Sequence, residues 1–166
     1  LTGAININDI AEIIVDELKK IFSANVVLIF AESPKKHKAK PHSASSFIID
    51  DYEWVFAQWA YSANQITGKF TNALPNSSAT YYPITSKSGM LGVIGLNFQN
   101  EQRLSFDKED LLNDMINQIS KTIEREYLDE LAKQSLLATE SEKLYKTLFN
   151  SISHELKTPI TTIIGA

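Results

Sequence analysis

Apolar positions change their spacing several times along the 166-residue chain. Ile10, Ile13, Ile14, Leu18, Ile21 and Phe22 follow Asn8-Asp9 at steps of three and four, the spacing of one helix face behind a capping side chain. The continuous run Val26-Val27-Leu28-Ile29-Phe30-Ala31 predicts a buried strand. Residues 32–44, with Pro34, Pro41 and a lysine-rich stretch, predict a polar loop, and Phe47-Ile48-Ile49 a second short strand. Asp50-Asp51 would cap a helix through Trp54, Val55, Ala57, Gln58 and Tyr61. From Gln65 to Ser78 the pattern is irregular, with Gly68 and Leu74-Pro75 as punctuation. Thr80 to Ile84 and Leu91 to Phe98 read as strands of a hairpin turning at Ser88-Gly89. Helix, two strands, helix, loop, hairpin and a final long helix predict an α+β fold, an antiparallel sheet with its helices on one side.

The final helix follows because no proline or glycine falls between Leu96 and Thr158. Ser105 or Asp107 would cap it. Leu111, Leu112, Met115, Ile116, Ile119, Ile123, Tyr127, Leu128 and Leu131 then recur at steps dominated by three and four, followed by Leu137, Leu144, Leu148 and Ile152. A helix of more than about 40 residues, rising about 1.5 Å each, outreaches a small domain and needs a partner for its apolar stripe. Ile116–Ile119–Ile123 and Leu137–Leu144–Leu148 have coiled-coil spacing, interrupted by Gln134, Ser135 and Ser141. The spacing favours a parallel helical dimer over packing back onto the chain's own domain.

Charge and composition narrow the function. Lys and Arg number 16 against 20 Asp and Glu, a net charge of −4 that argues against a general nucleic-acid binder. Hydrophobic residues at 43% and charged residues at 22% suit one folded core with an appendage. The absence of cysteine removes disulfides, thiolate metal sites, thiol chemistry and any thioether-linked cofactor. The longest apolar run, Val26 to Ala31, falls far short of the roughly 20 residues of a membrane span. The chain does not begin with methionine and stops inside the apolar pattern Ile163-Ile164-Gly165-Ala166, so it is expected to be a piece of a longer protein.

The segment Phe149-Asn150-Ser151-Ile152-Ser153-His154-Glu155-Leu156-Lys157-Thr158-Pro159-Ile160 carries the most specific chemistry. Ile152, Leu156, Ile160 and Ile163 form one helical face, whereas His154, Thr158 and Thr161 sit two residues on, about 200° around the helix. A surface imidazole with an ordinary pKa of roughly 6.5 is largely neutral at cellular pH and keeps a ring nitrogen able to attack phosphorus. Glu155 would accept a hydrogen bond from the other ring nitrogen, and Thr158, one turn on, would position a water. Pro159 cannot bond the carbonyl of Glu155, which predicts a helix bend.

The string Ser153-His154-Glu155-Leu156-Lys157-Thr158-Pro159 resembles the H-box of sensor histidine kinases, and every position of that pattern fits. The resemblance implies His154 as phosphoacceptor from ATP, Glu155 as its acidic assistant, Thr158 in dephosphorylation, and an aspartate of a response regulator as the next acceptor. Residues 1–130 resemble a GAF domain, an antiparallel sheet backed by helices. Ala57 and Trp59, Gly68, Thr71, Leu74-Pro75, Tyr82-Pro83 and Gly92-Val93, in that order before the H-box, are similar to the KdpD family of osmosensitive potassium-channel sensor kinases.

That resemblance implies a membrane-anchored bacterial two-component sensor controlling potassium uptake, with this chain on its cytoplasmic side. Its domains would be a GAF sensor core at 1–105, a signalling helix at 106–145 and a truncated dimerisation and phosphoacceptor helix at 146–166. ATP and Mg would belong to a catalytic domain beyond residue 166, leaving this segment without a cofactor and inactive alone. A homodimer through the C-terminal helix and a response-regulator receiver domain would be its partners. The alternative is a small-ligand module or ligand-free dimerising relay in a kinase of another pathway.

GAF domains often hold a small molecule, and Trp59, Phe70, Thr71 and Tyr82, with Trp54, Tyr61, Tyr81 and Asn72 near them in sequence, would line such a pocket. The competing reading is that these aromatics fill the core. No His, Asp and Glu cluster is spaced for a metal. Lys35, Lys36, His37, Lys38 and Lys40 fit a solvated loop better than a contact with anionic lipid headgroups.

Overall fold

The computed structural model of the chain describes residues 6–33 and 36–164. Its elements are α1 (Ile7–Phe22), β1 (Ala24–Ser33), β2 (Lys36–Pro41), α2 (Asp51–Ala63), β3 (Thr67–Gly68), β4 (Thr80–Ser86), β5 (Gly89–Phe98) and α3 (Phe106–Ile164). The strands form one sheet in the order β2-β1-β5-β4-β3. Every pairing is antiparallel.

Strand geometry sends alternate residues to opposite faces. Val26, Leu28, Tyr82, Ile84, Ile94 and Leu96 face α1 and the first turns of α3, where they meet Ile14, Leu18, Leu112 and Ile119. Val27, Ile29, Tyr81 and Val93 face the other way, against Phe56, Ala57, Ala60 and Tyr61 of α2. Helices therefore flank both faces of the sheet, not one. The cause is the uninterrupted apolar run of β1: a strand with no polar face needs cover on both sides. Close packing at the centre depends on Gly95, where a Cβ would lie 2.5 Å from a Val27 methyl and 2.7 Å from the Tyr81 ring. In the β4–β5 ladder Ile84 pairs with Gly92 and Thr85 with Met90, so Leu91 is an extra residue, and this bulge leaves it in the core on the α1 face.

Two local expectations are corrected. Residues 36–41, read as loop, form edge strand β2, with Phe30 opposite Lys40 and Ala31 opposite Ala39. An edge strand pairs through its backbone on one side only, and lysines there discourage further pairing, so apolar periodicity does not reveal it. Phe47-Ile48-Ile49, read as strand, has no strand pairing. The serines before it serve β1 instead: Ser46 Oγ accepts from Val26 N–H at 2.7 Å and Ser45 Oγ from Leu28 N–H at 3.0 Å. Phe47 and Ile49 tuck against the α2 side while Ile48 is fully exposed.

Helix ends follow side-chain chemistry. The cap of α1 is Asn6, whose side-chain Oδ1 accepts from the N–H groups of Asn8 and Asp9, two residues earlier than expected. Asp50 caps α2 as its sequence position predicted, accepting from Glu53 N–H at 2.8 Å. Ser105 caps α3, its hydroxyl accepting from Lys108 N–H and its carbonyl from Glu109 N–H. The chain divides into two compact units, one up to Glu126 and one from Tyr127. In the second, residues 127–157 are exposed except for half-buried Tyr127 and Ser153. Among the described residues no helix is long and apolar enough to cross a membrane.

Candidate functional site

In the second unit His154 and Glu155 lie exposed on α3. Leu144, Leu148, Ile152 and Leu156 recur every four residues, each more than half exposed. Helix geometry puts His154, two residues past Ile152, on the opposite side from that stripe. An imidazole so placed is accessible to an incoming phosphoryl group, with a carboxylate on the next residue. The side chains of Thr158 and Pro159 lie outside those described; the helix assignment itself runs through both positions.

In the first unit a cavity of about 160 Å³ opens where loop 66–71, β4, the end of β5 and the first turn of α3 converge. Phe70, Thr71 and Tyr82, three of the four residues singled out from sequence, line it together with Phe98, Ile66 and Leu104. Trp59 does not: it stands on α2, 52% exposed. Trp54 and Tyr61 line a different, smaller hollow of about 40 Å³ on the α2 face of the sheet. Tyr81 is buried in the core, as the space-filling reading has it.

Sequence reasoning missed the charged members of the larger cavity, Lys69, Arg103 and Glu109. The Arg103 guanidinium donates to Phe70 C=O at 2.6 Å, across 33 residues of chain. Lys69 Nζ sits 5.5 Å from the Phe70 ring centroid and 3.6 Å from Glu101. Burial, then the nearby Glu109 charge, push the Tyr82 phenol up to about 12. Phe70 and Leu74 have φ of +65° and +59°, left-handed values that bulky residues seldom adopt and that cost about 1–3 kcal/mol each. The loop is held there by several bonds: Lys69 N–H to Ala79 C=O, Thr80 hydroxyl to Lys69 C=O, and Thr71 hydroxyl to Gly68 and Ala73 carbonyls. Gly68, at φ +96°, permits the approach, since a Cβ there would fall 2.2 Å from Ala79 O.

Behind this loop Glu53 of α2 is buried and accepts from Ser77 Oγ at 2.7 Å, Ser78 N–H at 2.8 Å and Tyr81 Oη at 2.7 Å. Burial pushes its carboxyl up, but the hydrogen bonds outweigh burial and hold it below the ordinary value. The β4–β5 turn is tied to α3, where Ser120 donates to Thr85 C=O and Glu124 accepts from Ser88 N–H. Among the described residues no three of His, Asp or Glu are grouped to hold a metal ion.

The first unit is thus an α+β module, a five-stranded antiparallel sheet covered by helices on both faces and carrying a hollow beside a strained loop. The GAF domain model matches residues 6–125, and the chain belongs to the GAF domain family. Over 172 residues, 100% of the chain and 19% of the relative, it is 26% identical to the sensor protein KdpD of Clostridium acetobutylicum. Over 158 residues, 95% of the chain and 17% of the relative, it is 24% identical to the sensor protein KdpD of Escherichia coli K12. The chain thus spans about a fifth of the length of these curated relatives. The crystal structure of the GAF domain of the potassium sensor histidine kinase KdpD from Escherichia coli shares its fold, with a TM-score of 0.61 and 22% identity over 75% of this chain and 85% of that one. The chain is a KdpD-like GAF segment.

Proposed function

We propose that this chain is the cytoplasmic sensory and phosphoacceptor segment of a membrane-anchored, KdpD-like sensor histidine kinase that regulates potassium uptake. The observation that carries the reading is the unbroken string Ser153 to Pro159 on a helix continuous with a GAF domain, with His154 on the side away from the apolar stripe that includes Leu156. Alignment with KdpD sensors along 95–100% of the chain supports it. One nitrogen of His154 attacks the γ-phosphorus of ATP, forming a P–N bond as the P–O bond to ADP breaks. Glu155 takes the hydrogen bond of the other nitrogen and offsets the positive charge that develops on the ring. The phosphoryl group then passes to an aspartate of a response regulator, and Thr158 orients the water of the competing hydrolysis. ATP and Mg are held by the parent's catalytic domain; the present chain is the acceptor, not the catalyst.

The test uses the full-length kinase carrying this segment, incubated with γ-labelled ATP. Acid-labile, alkali-stable label is expected on His154, and its loss is expected in His154→Gln. Label that persists in His154→Gln overturns the assignment.

A further inference from the structure

We propose that the cavity beside the first turn of α3 binds a small aromatic carboxylate that also carries a hydrogen-bond donor. The proposal rests on the GAF unit alone and stands or falls separately from phosphotransfer at His154. Size decides first. A volume of about 160 Å³ is close to the roughly 150 Å³ of an apolar cavity that accepts one benzene ring, and below the roughly 300–1,000 Å³ of sites for drug-sized ligands. A single ring fits, and a nucleotide or cyclic dinucleotide does not. Phe70, Tyr82 and Phe98 supply three aromatic walls for that ring, with Phe70 and Phe98 tilted at 6.4 Å between centroids.

Charge decides the rest. Arg103 uses one of its five N–H donors on Phe70 C=O and has no carboxylate partner among the described residues. Its remaining donors form the fork that a carboxylate takes two at a time. Lys69 adds a second cation, paired among the described residues only with Glu101, whose side chain is 87% exposed and readily exchanged for a ligand. Two cations in the wall also oppose occupancy by potassium. Glu109 and the neutral Tyr82 phenol line the same cavity. Glu109 is exposed to solvent, yet its carboxylate borders the cavity and would repel an anion, unless the ligand also presents a hydroxyl or ammonium to it; hence the donor.

The strained backbone of Phe70 adds an independent reason. Left-handed bulky residues persist where the surroundings over-determine them, and they gather at ligand clamps. The Arg103 bond to Phe70 C=O couples the clamp to the carboxylate-binding group, so an occupant touches both. Leu104 immediately precedes the cap of α3 and Glu109 lies in its first turn, so occupancy steadies the start of the signalling helix.

The test is an NMR titration of the isotope-labelled 166-residue chain. Para-hydroxybenzoate and L-phenylalanine present the donor as ring hydroxyl and as ammonium; benzyl alcohol and potassium chloride serve as ligands lacking a carboxylate or a ring. At least one of the two acids is expected to give saturable shifts at Thr71, Thr80, Phe98 and Glu109, and the tighter one identifies the source of the donor. Benzyl alcohol is expected to bind at least about tenfold more weakly, and Arg103→Gln to weaken the acid at least about tenfold, because hydrogen bonds to a charged partner are lost. Leu104→Trp, which fills the hollow, is expected to abolish the shifts, and Lys20→Gln on α1 to leave them unchanged. The same spectra report whether each variant is folded; should Leu104→Trp not fold, Arg103→Gln decides. No saturation by either acid, or equal binding by Arg103→Gln, overturns the proposal.

Discussion

Glu53 shows how much one buried side chain organises. Its carboxylate accepts three hydrogen bonds from the end of the strained loop and from β4. The bonds keep it ionised against the cost of burial. Glu53→Ala leaves the Tyr81 hydroxyl and the Ser78 N–H without their acceptor, and is expected to cost about 3 kcal/mol in urea denaturation. The pH dependence has a definite sign. A carboxyl held below its ordinary value of 4.5 contributes stability that is present above that value and lost as pH falls through its folded-state value. Stability of the natural chain is therefore expected to decline more steeply below about pH 4.5 than that of Glu53→Gln. Parallel slopes for the two chains below that pH would falsify this account of Glu53. Nothing in the sequence marks the residue. Glu53 sits in the first turn of a predicted helix, where acidic residues are common, and its partners lie 24 to 28 positions away.

Helix ends were legible in part, because capping is local chemistry. Ser23 terminates α1 with φ +48° and ψ +50°, the left-handed cap geometry that glycine adopts without strain. Ser23→Gly is expected to raise stability by up to about 1 kcal/mol, read as a higher denaturation midpoint. A lower midpoint would show that the Ser23 side chain, not its backbone, matters there. Strands were harder. β4 and β5 are predicted because both are apolar and flank the turn signal Ser88-Gly89; the two-residue turn falls one position earlier, at Lys87-Ser88. β2 was missed because its sequence is polar and its partner β1 dictates the conformation. In α3 apolar steps of three and four occur among residues that pack on the sheet and again, past the polar interruption at Gln134, Ser135 and Ser141, among the exposed Leu144, Leu148, Ile152 and Leu156. Periodicity records a stripe and does not say what covers it.

At the scale of the whole molecule, the stripe Leu144, Leu148, Ile152 and Leu156 is too apolar to remain in water along several turns. We propose that a second copy of the chain covers it. Sedimentation is expected to show a concentration-dependent dimer, and Leu144→Lys with Leu148→Lys to yield a monomer with an unchanged GAF spectrum. A strict monomer at every concentration contradicts the helical dimer. The sequence by itself determined α1, α2 and the long unbroken α3, the strands β1, β4 and β5, and the string Ser153 to Pro159, because each depends on neighbours within a few residues. Only the tertiary structure decided that both sheet faces are covered, that residues 36–41 pair as an edge, and that Trp59 stays outside the cavity. It also brought Lys69, Phe70, Tyr82, Arg103 and Glu109 around one hollow. These outcomes depend on pairings between distant segments and on which face of a strand meets which helix, and no local pattern carries that information.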